Sequence, residues 1–390
     1  MALRRMVAVC PVVPWPPVDG GRKRTMRLLE AAERVGSTPH LLTADHTDPE
    51  GAEALRERGW TVELLDPPAG GLRPRLRQQL RRLPSPYLPQ VDERLRALVA
   101  EAPTLVQIEH TQSAYYAKAL TGVPWILSTH NVDSQLMRTL AESRRPPSAA
   151  WLREWNRWHT MRTVERRAGA AATAVLVVSE HDRLVFGRVS RRVVLSPNGV
   201  DDDFFAAPQA ERRGPPRVLF FGRLDYEPNE LGFGRFLREG WPELRRRHPD
   251  AALRLVGGGA SPELKAAAAA APGVEVVGFV PALVTELAAA DVLVVPLWAG
   301  GGTRLKVLEG MAAAVPIVGT SLGVEEIGFE DGVHGLIRDT PEALAVGAAE
   351  LLDDRPRARR LAAAARELAE GFRWSTTLRP AEALYRELGA

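Results

Sequence analysis

The residues best placed to do chemistry in this chain form one short run, Gly300-Gly301-Gly302-Thr303-Arg304-Leu305-Lys306. Adjacent glycines let backbone N–H groups come close to an anion, and a following helix adds partial positive charge at its start. Arg304 and Lys306 bring full positive charges to the same turn, so the run reads as a place to hold a diphosphate. Glu309 stands one helical turn beyond Lys306 and could either hold that lysine or accept from ribose hydroxyls. Arg223, in Phe220-Phe221-Gly222-Arg223-Leu224, offers a further cation beside a glycine. Cations and amides placed in advance are what a departing diphosphate requires.

A second set of candidates lies earlier. Asp19-Gly20-Gly21-Arg22 follows a short apolar run and opens a helical pattern, which is again a helix end suited to an anion. His110 and His130-Asn131 each close an apolar run, where an imidazole or amide could hydrogen-bond a sugar or hydroxyl. His181 reads as a residue on a helix surface. Asp201-Asp202-Asp203 resembles a metal-binding triplet, but its place in a turn-rich segment makes capping and solvation the better reading.

These groups need a scaffold. Strands are expected at Met6–Cys10, His40–Thr43, Thr61–Leu65, Leu105–Glu109, Trp125–Ser128, Ala174–Val178 and Arg192–Leu195. A second series follows at Arg217–Phe221, Ala252–Val256, Val274–Val277, Val292–Leu297, Pro316–Thr320 and Gly335–Ile337. Helical periodicity fills the gaps; Leu28, Leu29, Ala32 and Val35 share a face in Arg22–Val35. Apolar strands alternating with helices imply α/β units with parallel sheets covered on both sides. The expected organisation is an amino-terminal doubly wound domain over 1–198, a linker over 199–216, a second such domain over 217–372 and a closing helical segment over 373–390. Two such sheets facing one another would leave a ligand crevice between the carboxyl ends of their strands.

Composition narrows the function classes. The chain has 390 residues, 45% hydrophobic and 25% charged, with a formal net charge of +3, the profile of a globular protein rather than a disordered or membrane one. No long basic tract interleaves with aromatics, which argues against nucleic-acid binding. The arginine-dense run Leu72–Leu83 is expected as a solvated helix, with weak peripheral membrane contact as its alternative. One cysteine, Cys10, allows no intrachain disulfide and suits a reducing, cytoplasmic setting. The amino-terminal apolar run is broken at Pro11 and Pro14, so it reads as a core strand rather than a signal peptide. The oligomeric state is not legible.

Taken in order, several segments resemble the family 4 glycosyltransferases, over nearly the whole chain. They are Pro16-Pro17-Val18-Asp19-Gly20-Gly21, Ser128-Thr129-His130-Asn131, Val178-Ser179-Glu180 and Leu195-Ser196-Pro197-Asn198-Gly199-Val200-Asp201. Phe221-Gly222-Arg223-Leu224, Val277-Gly278-Phe279-Val280 and Gly301-Gly302-Thr303-Arg304-Leu305-Lys306-Val307-Leu308-Glu309 complete the set. The resemblance implies the GT-B architecture, with two facing Rossmann-like domains and a carboxyl-terminal helix closing back on the first. It also implies transfer of a sugar from a nucleotide diphosphate sugar to an acceptor hydroxyl, with retention at the anomeric carbon and no required metal or other cofactor. By family position, Arg223 and Lys306 would neutralise the diphosphate and Glu309 would hold the ribose. Gly278, Phe279 and Val280 would border the base, and Gly301, Gly302, Thr303 and Arg304 would line the phosphates. His130 would lie near the transferred sugar and act in catalysis with Arg223 and Lys306, and Gly21 would lie near the phosphate or acceptor. Gly20, His110 and Asn131 are expected as acceptor or sugar contacts.

Two positions depart from the pattern. Relatives often carry a glutamate eight residues before the one matching Glu309, where this chain has Gly301. They often carry a lysine six residues after the arginine matching Arg223, where this chain has Asn229. Both belong to a recognisable "GGGTRLK" loop variant, in which Arg304 could supply the missing charge. The competing readings are a catalytically silent homologue that binds a partner protein and a nucleotide-sugar epimerase of the same fold.

Overall fold

The computed structural model describes residues 5–65, 88–102, 104–142, 144–208, 214–301 and 304–389. Gly302, Thr303 and the Leu72–Leu83 run lie outside the described residues. The chain divides into two units, Met1–Pro197 with Thr377–Ala390, and Asn198–Thr376.

The first unit is built on seven strands, β1 (Arg5–Val9), β2 (Pro39–Thr43), β3 (Thr61–Leu64), β4 (Thr104–Glu109), β5 (Trp125–Ser128), β6 (Ala174–Val177) and β7 (Val193–Leu195). All pairings are parallel, in the order β3-β2-β1-β4-β5-β6-β7. Helices cover the sheet, so its central strands bury both faces; all six residues of β4 are buried. The sheet order reverses between β1 and β4. Loops at such a switch point diverge and leave a crevice at the carboxyl ends of the two strands.

The second unit repeats the plan with β8 (Arg217–Phe221), β9 (Ala252–Val256), β10 (Val274–Gly278), β11 (Val292–Val295), β12 (Ile317–Gly319) and β13 (Leu336–Ile337). These strands are also parallel, in the order β10-β9-β8-β11-β12-β13, with the switch between β8 and β11. Its core gathers Phe220, Phe233, Phe236 and Trp241 on one side of the sheet and Phe221, Leu293, Val307 and Met311 on the other.

Two boundaries differ from the sequence expectation. The stretch expected as a linker opens inside the second unit: Val200, Phe204, Phe205 and Ala207 are buried in that unit's core. Its Pro, Asp and Arg content disguises an apolar anchor. At the other end, Arg373–Thr376 stays with the second unit and the crossover begins at Thr377. The terminal helix Arg379–Leu388 returns to the first unit, packing on helix Gly20–Arg34 and β7 with Leu384 and Tyr385 buried.

Candidate functional site

Many of the sequence-derived candidates gather at the two switch points, one in each unit. In the first, the loop after β1 leads into helix Gly20–Arg34, whose N-cap is Asp19. The Asp19 carboxylate accepts from the Arg22 amide at 3.0 Å, so the chain's own carboxylate occupies the place where sequence suggested an anion. Arg22 itself pairs with Asp48 at 2.9 Å.

Gly21 faces the two histidines. A Cβ there would stand 3.8 Å from Cε1 of His110 and 3.8 Å from Nδ1 of His130. The two imidazoles stack with ring centroids 3.7 Å apart. His110 takes a positive φ of 64°, a costly conformation for a side-chain-bearing residue, and its amide donates to the Ser128 carbonyl at 2.9 Å. That bond and the stacking hold the ring against His130.

Beneath the histidines lies a buried polar network. Nε2 of His130 is 3.0 Å from the carboxylate of Glu109, a residue with no solvent exposure. Thr25 donates to the same carboxylate at 3.3 Å, and Gln107 donates to its other oxygen. Tyr385, on the terminal helix, donates to Gln107 at 2.8 Å. Arg24, also fully buried, donates to the Ser196 carbonyl at 2.8 Å. Burial raises the Glu109 carboxyl. Burial, with the charge of His130 as a second cause, lowers His110 to about 3; burial and the Arg24 charge push His130 well below its ordinary value. Both imidazoles are therefore neutral at pH 7. With Nε2 turned to the Glu109 carboxylate, the favoured tautomer carries its proton there and leaves Nδ1, on the Gly21 side, as an acceptor.

In the second unit, the chain after β11 turns at Gly300 and enters helix Leu305–Ala312. Gly300 has φ 134°, and a Cβ there would meet Nη2 of Arg304 at 2.9 Å, so the turn admits only glycine. The Arg304 guanidinium curls back over that turn, donating to the Gly301 carbonyl and lying 3.4 Å from Glu325. Arg304 is the N-cap residue and makes no side-chain cap bond. Among the described residues no side chain caps this helix, while the Val307 amide donates to the Arg304 carbonyl at 2.9 Å.

Lys306 projects from that first turn. Its ammonium donates to Oδ1 of Asn229 at 2.7 Å and stands 4.4 Å from the centroid of the Phe220 ring. Asn229 in turn donates to the Arg223 carbonyl at 2.7 Å, binding the loop after β8 to the lysine. Gly222 has φ 137°, and a Cβ there would come within 3.2 Å of Nζ; the missing side chain is what gives the lysine room. Desolvation, reinforced by Arg304 and opposed by Glu309, lowers Lys306 from an ordinary 10.5 to about 7. Glu309 is buried in the same helix.

Not every candidate converges. The Arg223 side chain is exposed and paired with Asp225 at 2.9 Å, so that ion pair must open before the guanidinium reaches a ligand. Gly278 ends β10 with φ 83°, followed by Phe279, which is 61% exposed, and half-buried Val280. An exposed phenyl at a strand's carboxyl end is a stacking surface. Asn131 is half-buried directly after His130. His181 makes a 2.5 Å contact with Gln135 on a short helix. Asp201 and Asp202 begin the helix Asp202–Phe205, where Asp202 pairs with Arg373.

Comparisons with known proteins bear on both constellations. Residues 18–204 match the profile described as Glycosyltransferase Family 4, and residues 215–354 match Glycosyl transferases group 1. The D-inositol 3-phosphate glycosyltransferase of Thermobispora bispora is 31% identical over 296 residues, covering 71% of this chain and 68% of that one. The chain belongs to glycosyltransferase family 4. A GDP-mannose-dependent α-(1-6)-phosphatidylinositol monomannoside mannosyltransferase from Mycolicibacterium smegmatis is 34% identical over 250 residues, or 57% of this chain. The match spans 64% of that mannosyltransferase's length. Among solved structures, sucrose-phosphate synthase from Thermosynechococcus elongatus superposes with a TM-score of 0.74 at 21% identity, covering 99% of each chain. Anabaena HepE in complex with UDP-glucose gives 0.70 at 16% identity, covering 98% of this chain and 99% of that one. This family 4 chain thus has the GT-B fold of two Rossmann-like units.

Sequence reasoning missed the network behind His130. Its signal was the pair Gln107 and Glu109 inside a strand that is otherwise apolar, since a strand buried on both faces has no reason to carry them. Asn229, a missing charge by the family pattern, is the acceptor that fixes Lys306.

Proposed function

We propose that this family 4 chain is a glycosyltransferase that moves a sugar from a nucleoside diphosphate sugar to an acceptor hydroxyl, with retention of anomeric configuration and without a required metal. The observation that carries the reading is Lys306. It stands at the start of a helix that no described side chain caps, beside a glycine that leaves it room, with its charge destabilised by burial. A diphosphate brought to that point would meet the ammonium and the first-turn amides together, and would restore the charge that desolvation removes. Charge develops on the leaving diphosphate as the glycosidic bond breaks through an oxocarbenium-like state, so these donors would act on the bond-breaking step. Metal independence follows if the cations suffice for that charge.

The first unit would meet the sugar or acceptor. Nδ1 of neutral His130 would accept from a hydroxyl, and Gly21 leaves space in front of it. The exposed Phe279 would stack on the base, and Glu309 would take the ribose.

Turnover of a nucleotide-sugar panel tests the reading. GDP-mannose comes first because the mycobacterial relative is named for it, and UDP-glucose second because HepE is solved with it. Release of nucleoside diphosphate that depends on an acceptor and persists in EDTA is expected, with product of the donor's own anomeric configuration by NMR. Isomerised donor without any acceptor would assign an epimerase instead. Absence of any thermal shift with nucleoside diphosphates would support the silent-partner reading.

A further inference from the structure

We propose that the helix Ala149–Ala171 of the first unit is a docking face for an anionic lipid bilayer; this does not depend on the catalytic reading. Among its described residues, the solvent side carries an aromatic and cationic stripe. Leu152, Trp155, His159, Arg162 and Arg166 recur at alternating steps of three and four, which places them along one line of the helix surface. Leu152 is 54% exposed and Trp155 40% exposed. Trp151 stacks on Trp155 at 5.3 Å, and Trp158 meets it edge-on at 4.7 Å. Trp155 is thus an exposed indole resting on two half-buried ones.

The charges on this helix are arranged to one sign outward. Its only two carboxylates, Glu154 and Glu165, are buried. Glu154 is held by Arg153 and Arg157, and Glu165 by Ser134. Arg162, Arg166 and Arg167 are exposed, and the opposite face, with Met161 and Ala168, packs on the unit. Indole rings favour the headgroup level of a bilayer, an exposed leucine reaches the acyl boundary, and arginines pair with anionic headgroups. One end of the stripe supplies the apolar contact and the other the charge.

The experiment is sedimentation of the full chain at low salt with vesicles of phosphatidylcholine alone, and of phosphatidylcholine and phosphatidylglycerol in equal parts. The wild type should pellet with the anionic vesicles and stay in solution with the neutral ones. Replacing Arg162, Arg166 and Arg167 by Gln should weaken binding about five-fold for each charge removed. Leu152→Ser with Trp155→Ser should abolish it while leaving thermal unfolding unchanged. Quenching of wild-type indole fluorescence by brominated lipid in the same vesicles gives a measurement that needs no variant. A wild type that neither pellets nor is quenched overturns the proposal, as do variants that bind like the wild type. A wild-type dimer that Trp155→Ser makes monomeric would assign the face to a second copy and also overturn it.

Discussion

The two switch points use the same scaffold for opposite electrostatics. In the first unit the helix after β1 is capped by Asp19, and the imidazoles of His110 and His130 are kept neutral above the buried Glu109. In the second, no described side chain caps the helix after β11, and Lys306 sits on an aromatic ring with an amide as its hydrogen-bond partner. One region satisfies its polar groups from within. The other gives its buried lysine a neutral partner, Asn229. A parallel sheet supplies the position in both cases, and the residues around each helix start set its electrostatics.

Removing the lysine tests the contrast most severely. Lys306→Ala should lower kcat/KM by about 10²–10³-fold, the scale of losing one preorganised donor to a developing anion. Nucleoside diphosphate affinity should also depend on pH in the wild type. The free lysine titrates near 7 and the bound one higher, so affinity is greatest below about 7 and falls as pH rises toward the bound value. Calorimetry in buffers of different ionisation heat should register proton uptake, and the Ala variant should lose it. A flat profile in the wild type would end the electrostatic account.

Next in size is Glu109. Glu109→Gln keeps the buried shape but removes the carboxylate that sets the His130 tautomer. By analogy with partners that orient ligating histidines, kcat should fall about 10–100-fold. Nucleoside diphosphate affinity should not change, because this residue belongs to the other region; a matching loss of affinity would break the comparison. Glu109→Ala strands several buried donors and should cost about 1–3 kcal/mol of stability, read from urea unfolding.

Smaller effects sharpen the picture. Asn229→Ala removes one neutral-acceptor bond to the ammonium and should weaken donor binding by about ten-fold or less. Asn229→Lys should place like charge beside Lys306, lowering its apparent pKa and shifting the binding profile to lower pH. Arg304→Lys should matter least, because one point charge can still reach the Gly301 carbonyl although the fork to Glu325 is lost.

The strands were legible because a parallel sheet demands short apolar runs, and their carboxyl ends located His110, His130, Arg223 and Lys306. What pairs with those residues was less so. The Tyr385–Gln107 bond joins positions 278 residues apart, and no local periodicity reports such a contact. Glu109 could have been flagged as a carboxylate in a buried strand. Arg223 illustrates the reverse: its strand-end place was readable, but its pairing with Asp225 two residues on was not. The linker reading failed because Phe204 and Phe205 are apolar anchors hidden among turn-forming residues.

Because residues from Thr377 onward belong to the first unit, the ribosome delivers the last piece of that unit only after all of the second has been made. Until Tyr385 arrives, Gln107 lacks its phenol donor and the floor beneath His130 stays unfinished. In chain order, every residue of the lysine pocket therefore precedes the tyrosine that completes the floor of the imidazole pocket.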